Sequence, residues 1–240
     1  MILPAITART AITAVALATT LVAGSASAGL MSATADVTLS GFAYGYAAVD
    51  TSKNTGYIGA GEFTGSITRN GQTSPFLTYC TDIYQSFNWN THYLFTPVAT
   101  GTAYGLSVRQ EDLLGKLYTL AGAAVDTTSE SVAFQLAVWE IVTETGPSLN
   151  VLTGDFNIER GASRNQRNMA NDWLTAISAS NAAKTFNAER LYHARVQDFV
   201  QFTRILPALS RSSVRVPEPA SYALVALALA GLAATRRRRV

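Results

Sequence analysis

The chain contains one cysteine, Cys80, and this limits how the protein can be held together. Its N-terminus has the features of an export signal, so we expect the mature protein to fold in an oxidising compartment, where cysteines usually occur in pairs. A single cysteine cannot form an intrachain disulfide. Cys80 is therefore a buried packing residue, one half of an intermolecular bridge, or a reactive group.

The export signal is predicted to span residues 1–28. Arg9 precedes an apolar stretch at 11–23, and a small-residue cleavage site of the Ala-Ser-Ala type follows at 26–28. We expect the mature protein to begin at Gly29.

The C-terminus has three parts in a fixed order. The tripeptide Pro217, Glu218 and Pro219 precedes an apolar stretch at 222–234, and four arginines follow at 236–239. The 13 apolar residues are fewer than the roughly 17 to 25 that span a bilayer, although flanking residues and the basic stop could let the segment cross a thin membrane. Composition alone predicts a short transmembrane segment and a marginal membrane anchor.

The three-part tail resembles the PEP-CTERM sorting signal of Gram-negative bacteria. The resemblance implies that an exosortase-type transpeptidase cuts near the Pro-Glu-Pro motif. It also implies an exported protein that is transiently anchored in the inner membrane and then reaches the cell surface or extracellular matrix. Carriers of this signal are commonly linked to exopolysaccharide and biofilm production. The alternative is an ordinary C-terminal membrane anchor.

The region between the two ends is long enough for one domain. We predict a domain at 29–209, a linker at 210–216 and the sorting tail at 217–240. Five of the 18 Lys and Arg residues and one of the 16 Asp and Glu residues lie in the two ends, which leaves a net charge of about −2 on the rest. A domain without a basic surface is not expected to bind nucleic acid.

Residues 36–85 are rich in β-branched and aromatic residues broken by Gly and Asn, which predicts strands. The clearest hairpin joins 62–68 to 75–80 around Asn70 and Gly71, a pair that tolerates positive φ. We expect a loop longer than two residues here. Cys80 is then expected to lie on a strand, with Asp82 and Tyr84 on its own face.

Two capping boxes predict helix starts. They pair Ser107 with Gln110 and Thr127 with Glu130 ahead of apolar runs. A third helix is predicted over 165–179, where apolar residues recur at helical spacing.

Residues 191–205 mix aromatic and β-branched residues with polar ones, and we expect one or two strands there. Strands at both ends with helices between them predict an α+β fold. The expected architecture is a β-barrel or β-sandwich framework with a helical insertion, in a single domain or two small subdomains.

Gln135 is the only polar side chain in the stretch 133–139 of the second predicted helix. A buried amide without partners costs about 1 to 3 kcal/mol. Either nearby backbone or solvent satisfies this carboxamide, or it pairs with a particular group elsewhere in the fold.

The sequence Phe-Gln-Leu-Ala-Val-Trp at 134–139 resembles the glutamine motif of bacterial surface thioester domains. Tyr-Cys-Thr-Asp at 79–82 is similar to the segment that supplies their thiol, and the likeness covers most of residues 40–205. The resemblance implies an internal thioester between the Cys80 sulfur and the Gln135 side-chain carbonyl. It further implies an adhesin that captures an amine-bearing surface or matrix target covalently, and that acts once per molecule without a cofactor, so is not an enzyme.

The competing interpretation is a non-covalent exopolysaccharide or matrix binding module with a free, buried Cys80. Trp89 and Tyr93, in a predicted polar loop, are its candidate sugar contacts. The aromatic run Phe42, Tyr44 and Tyr46 is expected to be one face of a strand instead.

Two further kinds of site are less well supported by the sequence. His92 or His193 could serve as a base for a Cys80 nucleophile, but no local motif favours this. A metal site is not expected because the carboxylates are scattered. We expect Glu140 and Glu144 to form the solvent-exposed edge of a helix.

Overall fold

The computed structural model describes residues 34–206 apart from residue 180. The strands are β1 (Ala35–Phe42), β2 (Ala47–Thr51), β3 (Asn54–Ala60), β4 (Phe63–Arg69), β5 (Gln72–Cys80), β6 (His92–Val98), β7 (Ile158–Arg160), β8 (Phe186–Tyr192) and β9 (Phe199–Arg204). The helices are α1 (Val108–Leu120), α2 (Thr128–Thr143) and α3 (Arg164–Ser178), with a short 3-10 turn at Gly122–Ala124.

Six of the strands form a closed barrel in the order β1, β4, β5, β9, β8, β6. Closure leaves no free edge strand in this sheet. A second, three-stranded sheet has the order β3, β2, β7. The three helices lie in the chain between β6 and β8, so the predicted α+β framework with a helical insertion is confirmed, and of the two expected frameworks the barrel is the one formed.

The hairpin between β4 and β5 turns in only two residues. Asn70 has a φ of 51° and Gly71 a φ of 73°, and Arg69 pairs directly with Gln72. A two-residue turn with positive φ at both central positions matches the right-handed twist of the flanking strands. The position of the hairpin was therefore predicted, but the expected longer loop was wrong.

Each long helix begins at a reciprocal capping box. The predicted boxes at Ser107 with Gln110 and at Thr127 with Glu130 both form, and Ser163 with Gln166 caps α3 in the same way. Each box satisfies backbone N–H groups that a helix start otherwise leaves without partners.

Helix α2 is the centre of the helical part. Every residue from Ser131 to Ile141 is buried, and the helix packs against α1, α3, β3 and β5. A helix that is apolar on all sides needs neighbours on all sides. Its position against β5 brings Gln135 to the end of the strand that carries Cys80.

Candidate functional site

Cys80 is the last residue of β5, at a point where that strand has a neighbour on one side only. Phe63, the first residue of β4, pairs with Thr78, so β4 does not extend as far as Cys80. On the other side Cys80 pairs with Phe199 of β9. The backbone N–H and C=O of Cys80 therefore need partners from outside the barrel sheet.

The Gln135 side chain supplies both partners. The Cys80 N–H donates to Gln135 Oε1 at 2.9 Å, and Gln135 Nε2 donates to the Cys80 carbonyl at 2.9 Å. Gln135 is 0% exposed, so these two bonds remove the cost of burying its amide. The two residues are 55 positions apart in the chain and in direct contact in the fold, with the main chain of Cys80 as the point of contact.

The Cys80 thiol is completely buried and points to the turn that follows it in the chain. Its Sγ donates to the Asp82 carbonyl at 3.0 Å. Burial raises the pKa of the Cys80 thiol to about 12, although the Trp139 indole and the Gln197 side chain partly oppose the rise. Trp139 Nε1 lies close enough to the sulfur to lower its pKa but completes no hydrogen bond. At neutral pH the sulfur is a protonated thiol, which is a weak nucleophile in solution.

Cys80 is one of the residues that line a cavity of about 360 Å³, which we call the aromatic cavity. Trp139, one helical turn after Gln135 on α2, also lines it. The polar lining residues include Asp82 and Gln197. Its aromatic lining residues are Phe42, Tyr46, Phe63, Phe87, Trp89 and Trp139. The sulfur is thus inaccessible in the packed state, yet it borders a space large enough for a small ligand.

A buried carboxyl lies beside the same strand and helix. Glu62, just before β4, donates its backbone N–H to Ser131 Oγ at 2.6 Å, one turn before Gln135 on α2. Burial raises the pKa of the Glu62 carboxyl to about 7, and the Tyr79 hydroxyl partly opposes this. The sequence carried no signal for Glu62, because an isolated Glu before a strand is normally exposed.

Asp198 anchors the opposite side of Cys80. Its backbone carbonyl accepts from Thr81 N–H at 2.9 Å, and its Oδ1 accepts from His193 N–H at 2.7 Å. Burial raises the pKa of the Asp198 carboxyl to about 6, while the His193 N–H and the Arg190 charge oppose the rise. These bonds fix the turn that follows Cys80.

The two histidines are not placed as bases for the thiol. His92 contacts Asp36 and Thr38 on an exposed part of the barrel, and the His193 ring packs against Phe95. Neither imidazole forms a hydrogen bond with Cys80 within residues 34–206. The structure does not bring together a Cys-His pair.

The expectation for Glu140 and Glu144 was wrong, because both are buried. Glu140 Oε1 accepts from Asn150 N–H at 2.7 Å. Glu144 accepts from Gly146 N–H and from Asp155 N–H, both at 2.7 Å. The loop after α2 folds back over the end of the helix, and these carboxylates satisfy its backbone donors. Among the residues that the structure describes, no group of three or more metal-ligating side chains forms a metal site.

The aromatic candidates are distributed differently from the expectation. Phe42 ends β1, whereas Tyr44 and Tyr46 lie in the bend before β2, so the predicted single strand face was wrong. Trp89 lines the aromatic cavity. Tyr93 lies on β6, where its hydroxyl accepts from the Asn88 N–H at 3.1 Å.

None of the helices among the described residues combines the length and the apolar composition that a membrane span requires. The predicted signal peptide at 1–28, and the tail at 217–240 in which a short transmembrane segment is predicted, lie outside the described residues.

Comparison with known protein families matches residues 215–239 to the PEP-CTERM protein-sorting motif. No curated protein and no solved structure matches the chain significantly. The predicted sorting tail is therefore confirmed. The motif indicates an exported protein that an exosortase sorts and that is transiently anchored in the membrane before processing.

Proposed function

We propose that this exported protein forms an internal thioester between Cys80 and Gln135 and uses it to capture an amine covalently. The observation that supports the proposal is the docking of the Gln135 carboxamide on the Cys80 main chain through two hydrogen bonds of 2.9 Å. This contact holds the two reacting residues together before any bond forms. Well-oriented groups of this kind reach effective molarities of roughly 10⁵ to 10⁸ M.

The same contact favours attack on the carboxamide carbon. The Cys80 N–H already donates to Gln135 Oε1, so it polarises the carbonyl and would stabilise the negative charge that develops on this oxygen. The sulfur turns from the Asp82 carbonyl to the carboxamide carbon. The sulfur–carbon bond then forms, the carbon–nitrogen bond breaks, and the amide nitrogen leaves as ammonia with the thiol proton.

Capture reverses the roles of sulfur and nitrogen. A primary amine attacks the thioester carbon, an amide bond to the Gln135 side chain forms, and the Cys80 thiol is released with a proton. The thioester is consumed once per molecule, so the protein acts as a single-use reagent and not as an enzyme. Its chemistry requires no metal or cofactor.

The sorting signal sets where this reaction would occur. After exosortase processing, the domain would lie at the cell surface or in the extracellular matrix of a Gram-negative bacterium. Covalent capture of an amine-bearing surface or matrix target there would make it an adhesin, in keeping with a role in biofilm.

A second candidate function is non-covalent binding of exopolysaccharide or matrix, with Cys80 as a free thiol. Two observations favour it. Both hydrogen bonds of Gln135 are explained by satisfaction of a buried amide, and the aromatic cavity provides a binding surface without any covalent step.

The intact mass of the protein, purified from the cells that export it, tests the proposal. We expect wild type to be lighter than its sequence mass by one ammonia molecule, and the Cys80→Ala and Gln135→Ala variants to have their full sequence masses. Incubation with a small primary amine should add that amine to Gln135 and release one titratable thiol. A full wild-type mass with a free thiol on fresh unfolding would support the non-covalent module instead.

A further inference from the structure

The aromatic cavity has a firm rim that solvent can reach. Trp89 is 42% exposed, and its ring lies edge-to-face against Phe87 at 4.8 Å and Phe42 at 5.4 Å. Tyr46 is 57% exposed and stacks on Phe42 at 4.7 Å. These contacts hold the two exposed rings in place, so a ligand meets a preorganised aromatic surface.

The charge of the cavity has one sign. Asp82 is the charged residue in its lining, and none of the described residues that line it is Lys, Arg or His. Asp82 Oδ1 accepts the Tyr84 N–H at 2.9 Å, which fixes the carboxylate beside the turn that holds Cys80. A carboxylate at the lining of an aromatic cavity attracts a cation and disfavours an anion.

Gly59 keeps the cavity open. A Cβ at this position would lie 2.9 Å from Phe42 Cζ and 3.6 Å from the Tyr46 ring, so any larger residue displaces the rim. Gly59 also lines the cavity.

We infer that the aromatic cavity binds an alkylammonium group, such as the end of a lysine side chain, and presents it to Cys80. The rings on the rim hold the cation by cation–π contact, Asp82 pairs with its charge, and the apolar walls accept its methylene stem. Cys80 is among the residues that line the same cavity, so an ammonium group bound there lies on the side of the fold that carries the thiol.

The inference rests on the proposed function for its covalent step. Of the three ammonium protons, one stays on the new amide nitrogen, one goes to the departing sulfur and one is released to solvent. The nitrogen–carbon bond forms as the carbon–sulfur bond breaks. The binding step itself needs no thioester, so it can be measured in a protein that cannot form one.

The test uses the full chain with Cys80→Ala, purified in a nonionic detergent, and tetramethylammonium as the probe. This ion has no N–H and cannot be acylated. We expect it to shift the NMR signals of Trp89, and we expect neutral tert-butanol of similar size to bind at least about tenfold more weakly.

Variants assign the binding to the cavity. Trp89→Ala and Asp82→Asn should each weaken tetramethylammonium binding by about tenfold, and Asp82→Asn keeps the Oδ1 acceptor for the turn. Gly59→Val should abolish binding. Tyr84→Ala removes an exposed aromatic residue outside the lining, and Gly41→Ala adds a Cβ with nothing within 4 Å, so both controls should bind as before.

Equal affinity for tert-butanol, or unchanged binding in Trp89→Ala and Asp82→Asn, would overturn the inference. Binding of a neutral disaccharide in place of the cation would overturn it in favour of a sugar site. In wild type with the mass deficit, tetramethylammonium should slow n-butylamine capture competitively. Cation binding by a protein without the mass deficit would refute only the thioester, whereas a mass deficit without cation binding would refute only the cavity inference.

Discussion

Gln135 and Glu140 lie on the same buried helix, but their partners differ in kind. The neutral Gln135 amide has both of its polar ends paired with the main chain of a strand 55 residues away. Glu140 is equally buried, yet its Oε1 accepts from Asn150 in the following loop, and its Oε2 has no partner within the described residues. The Gln135 amide therefore joins two distant parts of the fold at any pH. Glu140 holds a nearby loop, and the free energy of burying its carboxyl depends on whether that carboxyl is protonated.

The largest expected effect is at Gln135. In a Cys80→Ala background, where no thioester forms, Gln135→Ala should lower the free energy of unfolding by about 3 kcal/mol. The substitution leaves a buried N–H and a buried C=O at position 80 without partners and opens a small cavity. Urea denaturation of the two proteins measures the difference.

Gln110→Ala is the matched control, because Gln110 also makes two hydrogen bonds but is only half-buried. It should cost about 1 kcal/mol. If the two substitutions lower the free energy of unfolding equally, the Gln135 contact stabilises the fold no more than the side chain of a helix capping box does.

The second prediction concerns the pH dependence from Glu140. Burial raises the pKa of its carboxyl from 4.5 to about 7, while the Asn150 N–H partly opposes the rise. The folded state therefore binds more protons than the unfolded state between these values. The contribution of the protonated Glu140 carboxyl to the free energy of unfolding is fully present below about pH 4.5 and is lost as the pH rises through about 7.

Glu140→Gln removes this contribution and keeps an acceptor for Asn150. The stability of the variant relative to wild type should improve by about 1 to 2 kcal/mol between acidic and mildly alkaline pH. Urea denaturation across that pH range measures the difference. Gln135→Ala is the control, because it removes no ionisable group and should leave the pH dependence of the free energy of unfolding as it is in wild type. Parallel profiles for wild type and Glu140→Gln would contradict the prediction.

The smallest effect is expected at Glu144. Glu144→Gln keeps one acceptor and loses the other, so it should cost about 1 kcal/mol. The Gly146 and Asp155 amides each donate to one oxygen of this carboxylate, so hydrogen exchange should increase at whichever of them loses its acceptor and should stay unchanged at Cys80. Increased exchange at Cys80 would show that the two ends of α2 are not independent.

Local signals in the sequence predicted much of the fold. The capping boxes at Ser107 and Thr127 and the hairpin at Asn70-Gly71 depend on residues a few positions apart, so they can be recognised without knowledge of the rest of the chain. Local signals did not predict how the barrel closes, because the pairing of β6 with β1 and β8 joins segments that are distant in the chain. The strand β6 itself was not predicted.

The site was predictable in part for the same reason. A lone polar residue in an apolar run drew attention to Gln135, and its contact with Cys80 is present in the structure. The burial of Glu140 could not be predicted, because an all-apolar helix has no solvent face from which to judge position and because the covering loop is set by tertiary packing. Trp139 lies in the same motif as Gln135, but its place beside the sulfur is visible only in the fold.

The pairing of β5 with β9 has a mechanical consequence. In the proposed adhesin, a target held through Gln135 would pull on α2, and the chain that follows Arg204 at the far end of β9 would carry the opposing force. Cys80, which Gln135 of α2 contacts, pairs with Phe199 at the near end of β9. A pull directed along β9 would load its hydrogen bonds to β5 and β8 together in shear, so that no single bond would have to yield first.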